Sequence, residues 1–213
     1  MKLHFVCTGN LLRSVLCERI AVEKGPLLIG EAADELDVSS SGLEADPSHP
    51  THSDCELSLE VLGLERVIES PTKTEEDIVA EADLVVAMTR QQCYVLASRF
   101  PEHRRKVFSL VEANGAIETL MDGREGSGDD RGALDRAAGA LRTASRELMH
   151  PLPGVPMDIR QLMTLFGPCF YQVSGIHDPM GGTLEEVERC ARLLDREMTD
   201  LLKGLLALGR ATP

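Results

Sequence analysis

The order of apolar and polar positions in the first half of the chain predicts alternating strands and helices. Three apolar runs are typical of buried strands, and a more polar segment is assigned as a fourth: residues 2–6, 84–88, 106–110 and 37–41. Helical composition is found between them, at about residues 13–24, 54–62 and 89–100. Because strands that alternate with helices form parallel sheets covered on both faces, this order predicts an α/β domain.

The pattern changes after the fourth predicted strand. Residues 122–132 are rich in glycine and aspartate, which is typical of a mobile linker. Two helices are predicted beyond it, at about 132–149 and 157–166, separated by a proline-rich break. We therefore expect one domain over residues 1–213 that carries a helical and mobile insertion at about 113–172.

A long amphipathic helix is predicted near the end of the chain, from Thr183 to about Leu208. Thr183 and Glu186 have the spacing of a capping box at its start. Its apolar stripe predicts packing against the core and consists of Leu184, Val187, Leu194, Met198, Leu201 and Leu205.

Composition and charge exclude several classes of protein. The 35 acidic residues outnumber the 22 basic ones, which gives a net charge of −13. Nucleic-acid binding through bulk electrostatics and basic membrane-surface binding both need the opposite sign, so we expect neither partner. No apolar run of about 18 residues or secretory signal is found, and the scattered cysteines are typical of reduced thiols; we therefore expect a cytoplasmic protein. Any anion site must be built from local groups.

The strongest chemical signal is the loop between the first strand and the first helix, which has the pattern Cys-x5-Arg-Ser. The loop is long enough for its backbone N–H groups, from Thr8 to Leu12, to surround one tetrahedral anion. Arg13 would add a bidentate contact, and Ser14 would donate a hydrogen bond to the sulfur of Cys7. A cysteine beside a helix N-terminus ionises readily. Gly9 and Asn10 tolerate the positive φ that such a curl requires.

A thiolate that attacks phosphorus needs an acid to protonate the leaving group. The candidate is Asp178, in the sequence Asp-Pro-Met-Gly-Gly before the last helix. Pro179 stiffens this segment, and the glycines allow it to fold over a site. The alternative interpretation is a simple turn.

Together the two motifs resemble the low-molecular-weight protein-tyrosine phosphatase family, over about residues 1–112 and 173–208. The resemblance implies a three-layer fold with a four-stranded parallel sheet and a phosphate-binding loop after strand 1. It also implies that Cys7 is the nucleophile, that Arg13 and the loop amides hold the phosphoryl group, and that Asp178 is the acid and then the base. Asn10 and Ser14 would brace the loop, and no metal or cofactor would be needed. The expected partner is a phosphorylated protein, and the expected state is a monomer or a weak homodimer.

The substrate is less well defined than the chemistry. The segments around CTGN and ADLVVAM resemble the protein-arginine phosphatase branch of the family, which has a threonine at the position of Leu11. Tyrosine-directed members have an apolar residue there, and Leu11 therefore favours phosphotyrosine, with phosphoarginine as the alternative. Met180 stands where family members usually have an aromatic residue, and it can still line a substrate pocket. Leu12 replaces a second loop cysteine that the family often has.

Three further hypotheses remain open. Arsenate reductases of this family need two closely spaced additional cysteines, which the sequence lacks. A phosphate-binding module without turnover would not need Cys7, Arg13 and Asp178 together. The insertion leads into the Asp178 segment, so we expect it near the mouth of the site, as a cap or a lateral lobe, or as a tolerated surface insertion.

Overall fold

The fold is described from a computed structural model. It covers residues 1–49, 52–66, 70–123, 128–148 and 175–212. The predicted helix at 157–166 lies outside these described residues.

Four parallel strands form one sheet in the order β2-β1-β3-β4. The strands are β1 (Lys2–Cys7), β2 (Asp37–Gly42), β3 (Leu84–Ala87) and β4 (Val107–Ser109). The predicted strands are thus present, with ends that differ by at most one residue. In the register of β1 and β2, Cys7 lies opposite Gly42, so both stand at the carboxyl edge of the sheet.

Helices cover both faces of the sheet, which confirms the predicted three-layer α/β fold. The helices in chain order are α1 (Arg13–Ile29), α2 (Ser53–Leu62), α3 (Glu76–Glu81), α4 (Arg90–Arg99), α5 (Leu110–Met121), α6 (Ala133–Leu148) and α7 (Leu184–Ala211). Leu3 and Phe5 of β1 belong to the larger core, which is formed with α1 and α7. Val6, which points to the other face, packs with Val79 of α3 and Leu96 of α4. None of the helices in the described part of the chain is both long and apolar enough to cross a membrane.

Helix α5 was not predicted, because residue 110 was assigned to the fourth strand and residues from about 113 onward to the insertion, in which the first helix was expected only at about 132. The strand ends one residue earlier, since Ser109 and Glu112 form a capping box. The Ser109 hydroxyl accepts from the Glu112 N–H at 3.3 Å, and the Glu112 carboxylate accepts from the Ser109 N–H at 3.2 Å. Such a pair satisfies two N–H groups that the helix itself leaves free.

Helix α6 begins and ends close to the predicted bounds of 132–149, but it does not lie near the carboxyl edge. Arg142 donates to the backbone carbonyl of Asp83, one residue before β3, at 2.9 Å. The N–H of Gly132 donates to Glu35, just before β2, at 2.9 Å. This described part of the predicted insertion therefore packs at the amino edge of the sheet, opposite Cys7. The segment's position in the chain predicted a cap or a lateral lobe near the mouth of the site, with a tolerated surface insertion as the alternative, and α6 does not lie near the mouth.

Helix α7 begins with the predicted capping box of Thr183 and Glu186. Val187 and the predicted stripe positions beyond it, through Leu205, are buried. Leu184 was wrongly placed in this stripe, because it is 58% exposed in the first turn of the helix.

Candidate active site

The phosphate loop, residues 7–14, curls around the sulfur of Cys7 at the carboxyl edge of the sheet. Cys7 ends β1, one of the two central strands, and is 3% exposed. The backbone N–H of Asn10 donates to Cys7 Sγ at 3.2 Å, and the Ser14 hydroxyl lies 3.1 Å from the same atom. These contacts and the start of α1 surround the sulfur with donors, which stabilise a thiolate.

Asn10 holds the curl by its backbone and by its side chain. Its φ of 53° lies in the left-handed region, which asparagine tolerates better than most residues. Its side-chain amide donates to Ser14 at 3.1 Å and to Ser40 at 2.9 Å. Its carbonyl oxygen accepts from the N–H of Thr72 at 2.8 Å. A buried side chain with all these partners fixes the loop to β2 and to the segment before α3.

The end of β2 lies directly beneath the phosphate loop. The N–H groups of Leu43 and Glu44 donate to the carbonyls of Cys7 and Thr8 at 3.0 and 2.8 Å. A Cβ atom on Gly42 would stand 2.6 Å from the backbone nitrogen of Asn10, so only glycine fits there without displacing the loop.

Asp178 is brought to the phosphate loop by Arg13. The Arg13 side chain is 4% exposed, and its Nη1 donates to the carbonyl of Ile176 at 3.0 Å. Its Nη2 pairs with the carboxylate of Asp178, the side chain of which is 42% exposed. The other oxygen of Asp178 accepts from the N–H of Met180 at 3.3 Å. The acid candidate is therefore held within reach of the loop and open to solvent.

The acid segment, residues 175–182, is attached to the end of β3. The N–H of Ile176 donates to the carbonyl of Met88 at 2.8 Å, and Gly175 forms a β-bridge with Thr89. Gly175 has a φ of 148°, and a Cβ there would lie 2.3 Å from the Met88 carbonyl oxygen. Farther along, the N–H of Gly181 donates to Asp54 in the first turn of α2 at 3.3 Å.

The remaining predicted site residues differ in how far their side chains are exposed at the surface. Leu11 and Met180 are half-buried at the surface, whereas Leu12 is 1% exposed, so its side chain faces the core and only its backbone belongs to the loop. Gly9 is covered by Leu11: a Cβ on Gly9 would stand 3.2 Å from Leu11 Cδ1. Thr8 is exposed, and its hydroxyl accepts from the Gln92 amide at 3.1 Å.

Sequence reasoning missed the residues that hold the site from other elements, namely Ser40, Gly42, Asp54, Thr72 and Gln92. Ser40 lies in the second predicted strand and Gly42 directly follows it, but neither was given a role in the site. The contacts of the other three with the site have no local signal, because their partners are distant in sequence.

The two histidines before α2 have structural partners. His49 lies 3.1 Å from Asp46, and His52 accepts from the N–H of Asp54 as the N-cap of α2. Within the described ranges, no group of three or more His, Cys, Asp and Glu side chains has the arrangement of a metal site.

Other cysteines near the site are poor nucleophiles. Burial raises the pKa of Cys55 to about 12 and that of Cys190 to about 11. Burial likewise raises the pKa of Cys17, which is fully buried. At neutral pH these groups are protonated, and a thiol is much less reactive than a thiolate.

A cysteine at the end of a parallel strand, inside a loop that closes on its sulfur and beside a buried arginine, defines the class of cysteine-based phosphatases. Residues 2–153 match the family described as low molecular weight phosphotyrosine protein phosphatase. The chain belongs to this family, and the protein is a phosphatase.

Curated relatives within the family differ in the activity that their names give. The protein-arginine-phosphatase of Bacillus subtilis is 33% identical over 135 residues, which cover 61% of this chain and 83% of the relative. The low molecular weight protein-tyrosine-phosphatase PtpB of Staphylococcus haemolyticus is 31% identical over 133 residues, which cover 61% and 86%.

Solved structures show the same fold. A low molecular weight protein tyrosine phosphatase from T. tengcongensis has a TM-score of 0.61 and 21% identity, with 95% of this chain and 98% of that chain covered. A mutant of YwlE from Bacillus subtilis has a TM-score of 0.57 and 21% identity, with 95% and 97% covered.

Proposed function

We propose that the protein hydrolyses protein phosphotyrosine through a phosphocysteine intermediate at Cys7. The observation that carries this proposal is the convergence of Cys7, Arg13 and Asp178 at the carboxyl edge of the sheet. Arg13 contacts the acid segment directly, although Asp178 lies 165 residues away in the chain. A phosphate-binding module without turnover would not need an exposed carboxylate beside the loop.

In the first step, the Cys7 thiolate attacks phosphorus and the bond from phosphorus to the tyrosine oxygen breaks. Asp178, in its protonated form, gives its proton to that oxygen, so tyrosine leaves as a neutral phenol. The loop N–H groups and Arg13 stabilise the charge on the phosphoryl oxygens of the transition state.

In the second step, water attacks the phosphocysteine. Asp178, now a carboxylate, accepts a proton from the water, and the sulfur of Cys7 leaves as a thiolate with inorganic phosphate as the product. Ser14 and the N–H of Asn10 stabilise this leaving sulfur, which they contact at 3.1 and 3.2 Å.

Two half-buried apolar residues, one in the phosphate loop and one in the acid segment, support phosphotyrosine as the substrate. Leu11 and Met180 are half-buried and can pack against the faces and edges of a phenyl ring. Phosphoarginine is the second candidate, because the relative at 33% identity is named a protein-arginine-phosphatase. The exposed carboxylate of Asp178 could also hold a guanidinium.

The test compares matched phosphotyrosine and phosphoarginine peptides with wild type, Leu11→Thr and Leu27→Thr. Leu27 is 86% exposed on α1, so Leu27→Thr makes the same change away from the mouth. We expect wild type and Leu27→Thr to have the higher kcat/KM for phosphotyrosine, and Leu11→Thr to shift the ratio toward phosphoarginine. A wild type that prefers phosphoarginine would establish the second candidate instead. Cys7→Ser should lose turnover of both peptides.

A further inference from the structure

Gln92 lies in the first turn of α4, between the phosphate loop and the acid segment. Its side chain is 5% exposed and uses both ends of its amide. The carbonyl oxygen accepts from the N–H groups of Met88 and Thr89 at 2.9 and 3.1 Å. The NH2 group donates to the hydroxyl of Thr8 at 3.1 Å. One buried side chain therefore joins the end of β3 to the second residue of the phosphate loop.

The two backbone units that Gln92 holds are the ones to which the acid segment is attached. Met88 accepts the hydrogen bond of the Ile176 N–H, and Thr89 forms the β-bridge with Gly175. The carbonyl of Ile176 in turn accepts from Arg13 in the phosphate loop. A displacement of the Met88–Thr89 backbone would thus move the base of the segment that carries Asp178.

We propose that Gln92 is a positioning residue that couples the phosphate loop to the acid segment. It fixes the distance between the thiolate of Cys7 and the proton of Asp178 without contacting the substrate. This inference rests on the roles that the proposed function gives to Cys7 and Asp178.

A simpler role accounts for part of the geometry. Gln92 and Thr89 form the capping box of α4, and a capping box by itself stabilises a helix. The bond from the Gln92 amide to Thr8 has no part in capping. Because the buried NH2 group faces the phosphate loop, the capping role alone leaves this contact unexplained.

The experiment uses three variants of the full chain. Gln92→Met has nearly the same length and removes all three hydrogen bonds. Gln91→Met makes the same change one residue earlier, at a partly exposed glutamine, and serves as the matched control. Thr8→Val has nearly the same shape as threonine and removes only the contact between the loop and Gln92, so the helix cap stays intact.

The readout is kcat/KM for p-nitrophenyl phosphate and for phenyl phosphate. Phenolate is a poorer leaving group than p-nitrophenolate, so hydrolysis of phenyl phosphate depends more strongly on the proton of Asp178. For Gln92→Met we expect kcat/KM to fall roughly tenfold with p-nitrophenyl phosphate and roughly a hundredfold with phenyl phosphate, because a misplaced acid penalises the poorer leaving group. Thr8→Val should shift the ratio of the two substrates in the same direction. The double variant should be little worse than Gln92→Met, because Thr8→Val removes only the hydrogen bond to Gln92, which Gln92→Met has already removed.

Two outcomes would overturn the proposal. The first is a Gln92→Met variant that melts at a lower temperature but keeps the wild-type ratio of the two substrates. If Gln92→Met does not fold, the second outcome decides: a folded Thr8→Val variant that keeps the wild-type ratio of kcat/KM for the two substrates. A wild type that hydrolyses neither substrate would contradict the proposed function itself, so the two failures are distinguishable.

Discussion

Replacement of Gly42 by alanine tests whether the packing beneath the phosphate loop sets the rate of catalysis. The added Cβ would stand 2.6 Å from the nitrogen of Asn10, 2.7 Å from the carbonyl carbon of Gly9 and 2.8 Å from the carbonyl oxygen of Thr8. All three atoms are backbone, so no side chain can rotate away. The loop or the end of β2 must move.

The size of this movement follows from the contact distances. An ordinary contact of a Cβ begins at 3.4 Å, so the backbone must shift by about 0.8 Å relative to Gly42. A misplacement of about 1 Å in an active site costs roughly a hundredfold in rate. We therefore expect kcat/KM to fall about 30- to 100-fold, together with a loss of about 1–3 kcal/mol in the free energy of unfolding from overpacking.

The assay is kcat/KM for p-nitrophenyl phosphate at a temperature where circular dichroism shows both proteins folded. Gly115→Ala is the matched control, because nothing lies within 4 Å of a Cβ at that exposed helical position. It should keep the wild-type rate and gain roughly 0.5–1 kcal/mol of stability. A folded Gly42→Ala protein with activity within about twofold of wild type would refute the argument that the close approach of β2 shapes the loop.

Three further predictions follow from the charges. Burial lowers the pKa of His4 to about 4, so the unfolded chain binds a proton that the folded chain does not between about pH 6.5 and 4. In urea unfolding, the free energy of unfolding of wild type should therefore fall by up to about 3 kcal/mol more than that of His4→Asn as the pH falls through this window. Equal slopes of the free energy of unfolding against pH for the two proteins would contradict this prediction. Arg13→Lys removes the two-pronged contact and should lower kcat/KM for p-nitrophenyl phosphate about 10²- to 10³-fold, whereas Arg104→Lys, at an exposed arginine, should not. With a net charge of −13, the protein should cleave phosphopeptides with basic flanks faster than those with acidic flanks. That ratio should approach one in about 1 M salt, where the Debye length is about 3 Å, and a salt-independent ratio would exclude a long-range charge effect.

The central part of the fold was predictable because its signals are local. The apolar run at residues 2–6, the small residues after Cys7 and the helical composition from Arg13 onward all lie within one short stretch of sequence. The strand, the loop and the helix appear in that order, with the loop curled on the sulfur. The capping box at Thr183 is local in the same way and marks the start of α7.

The supports of the loop could not be predicted, because each joins segments that are distant in the chain. Thr72 lies 62 residues from Asn10, and Gln92 lies 84 residues from Thr8. A buried polar side chain needs a hydrogen-bond partner, but a single sequence does not show where that partner is. The predicted place of α6 near the mouth of the site was wrong for a related reason. Its amphipathic pattern was recognised, whereas the edge of the sheet that it covers depends on contacts with Glu35 and Asp83.

These contacts also explain how a long stretch of chain can separate β4 from the acid segment without disturbing the site. Within the residues that the structure describes, the acid segment is held by Met88, Arg13 and Asp54. The capping box at Thr183 anchors the start of α7 independently. Because the entropic cost of closing a loop grows only slowly with its length, a long connection is tolerated once both of its ends are fixed by other elements. The end of β3 and the phosphate loop, which both precede this connection in the chain, thus hold the segment that carries Asp178.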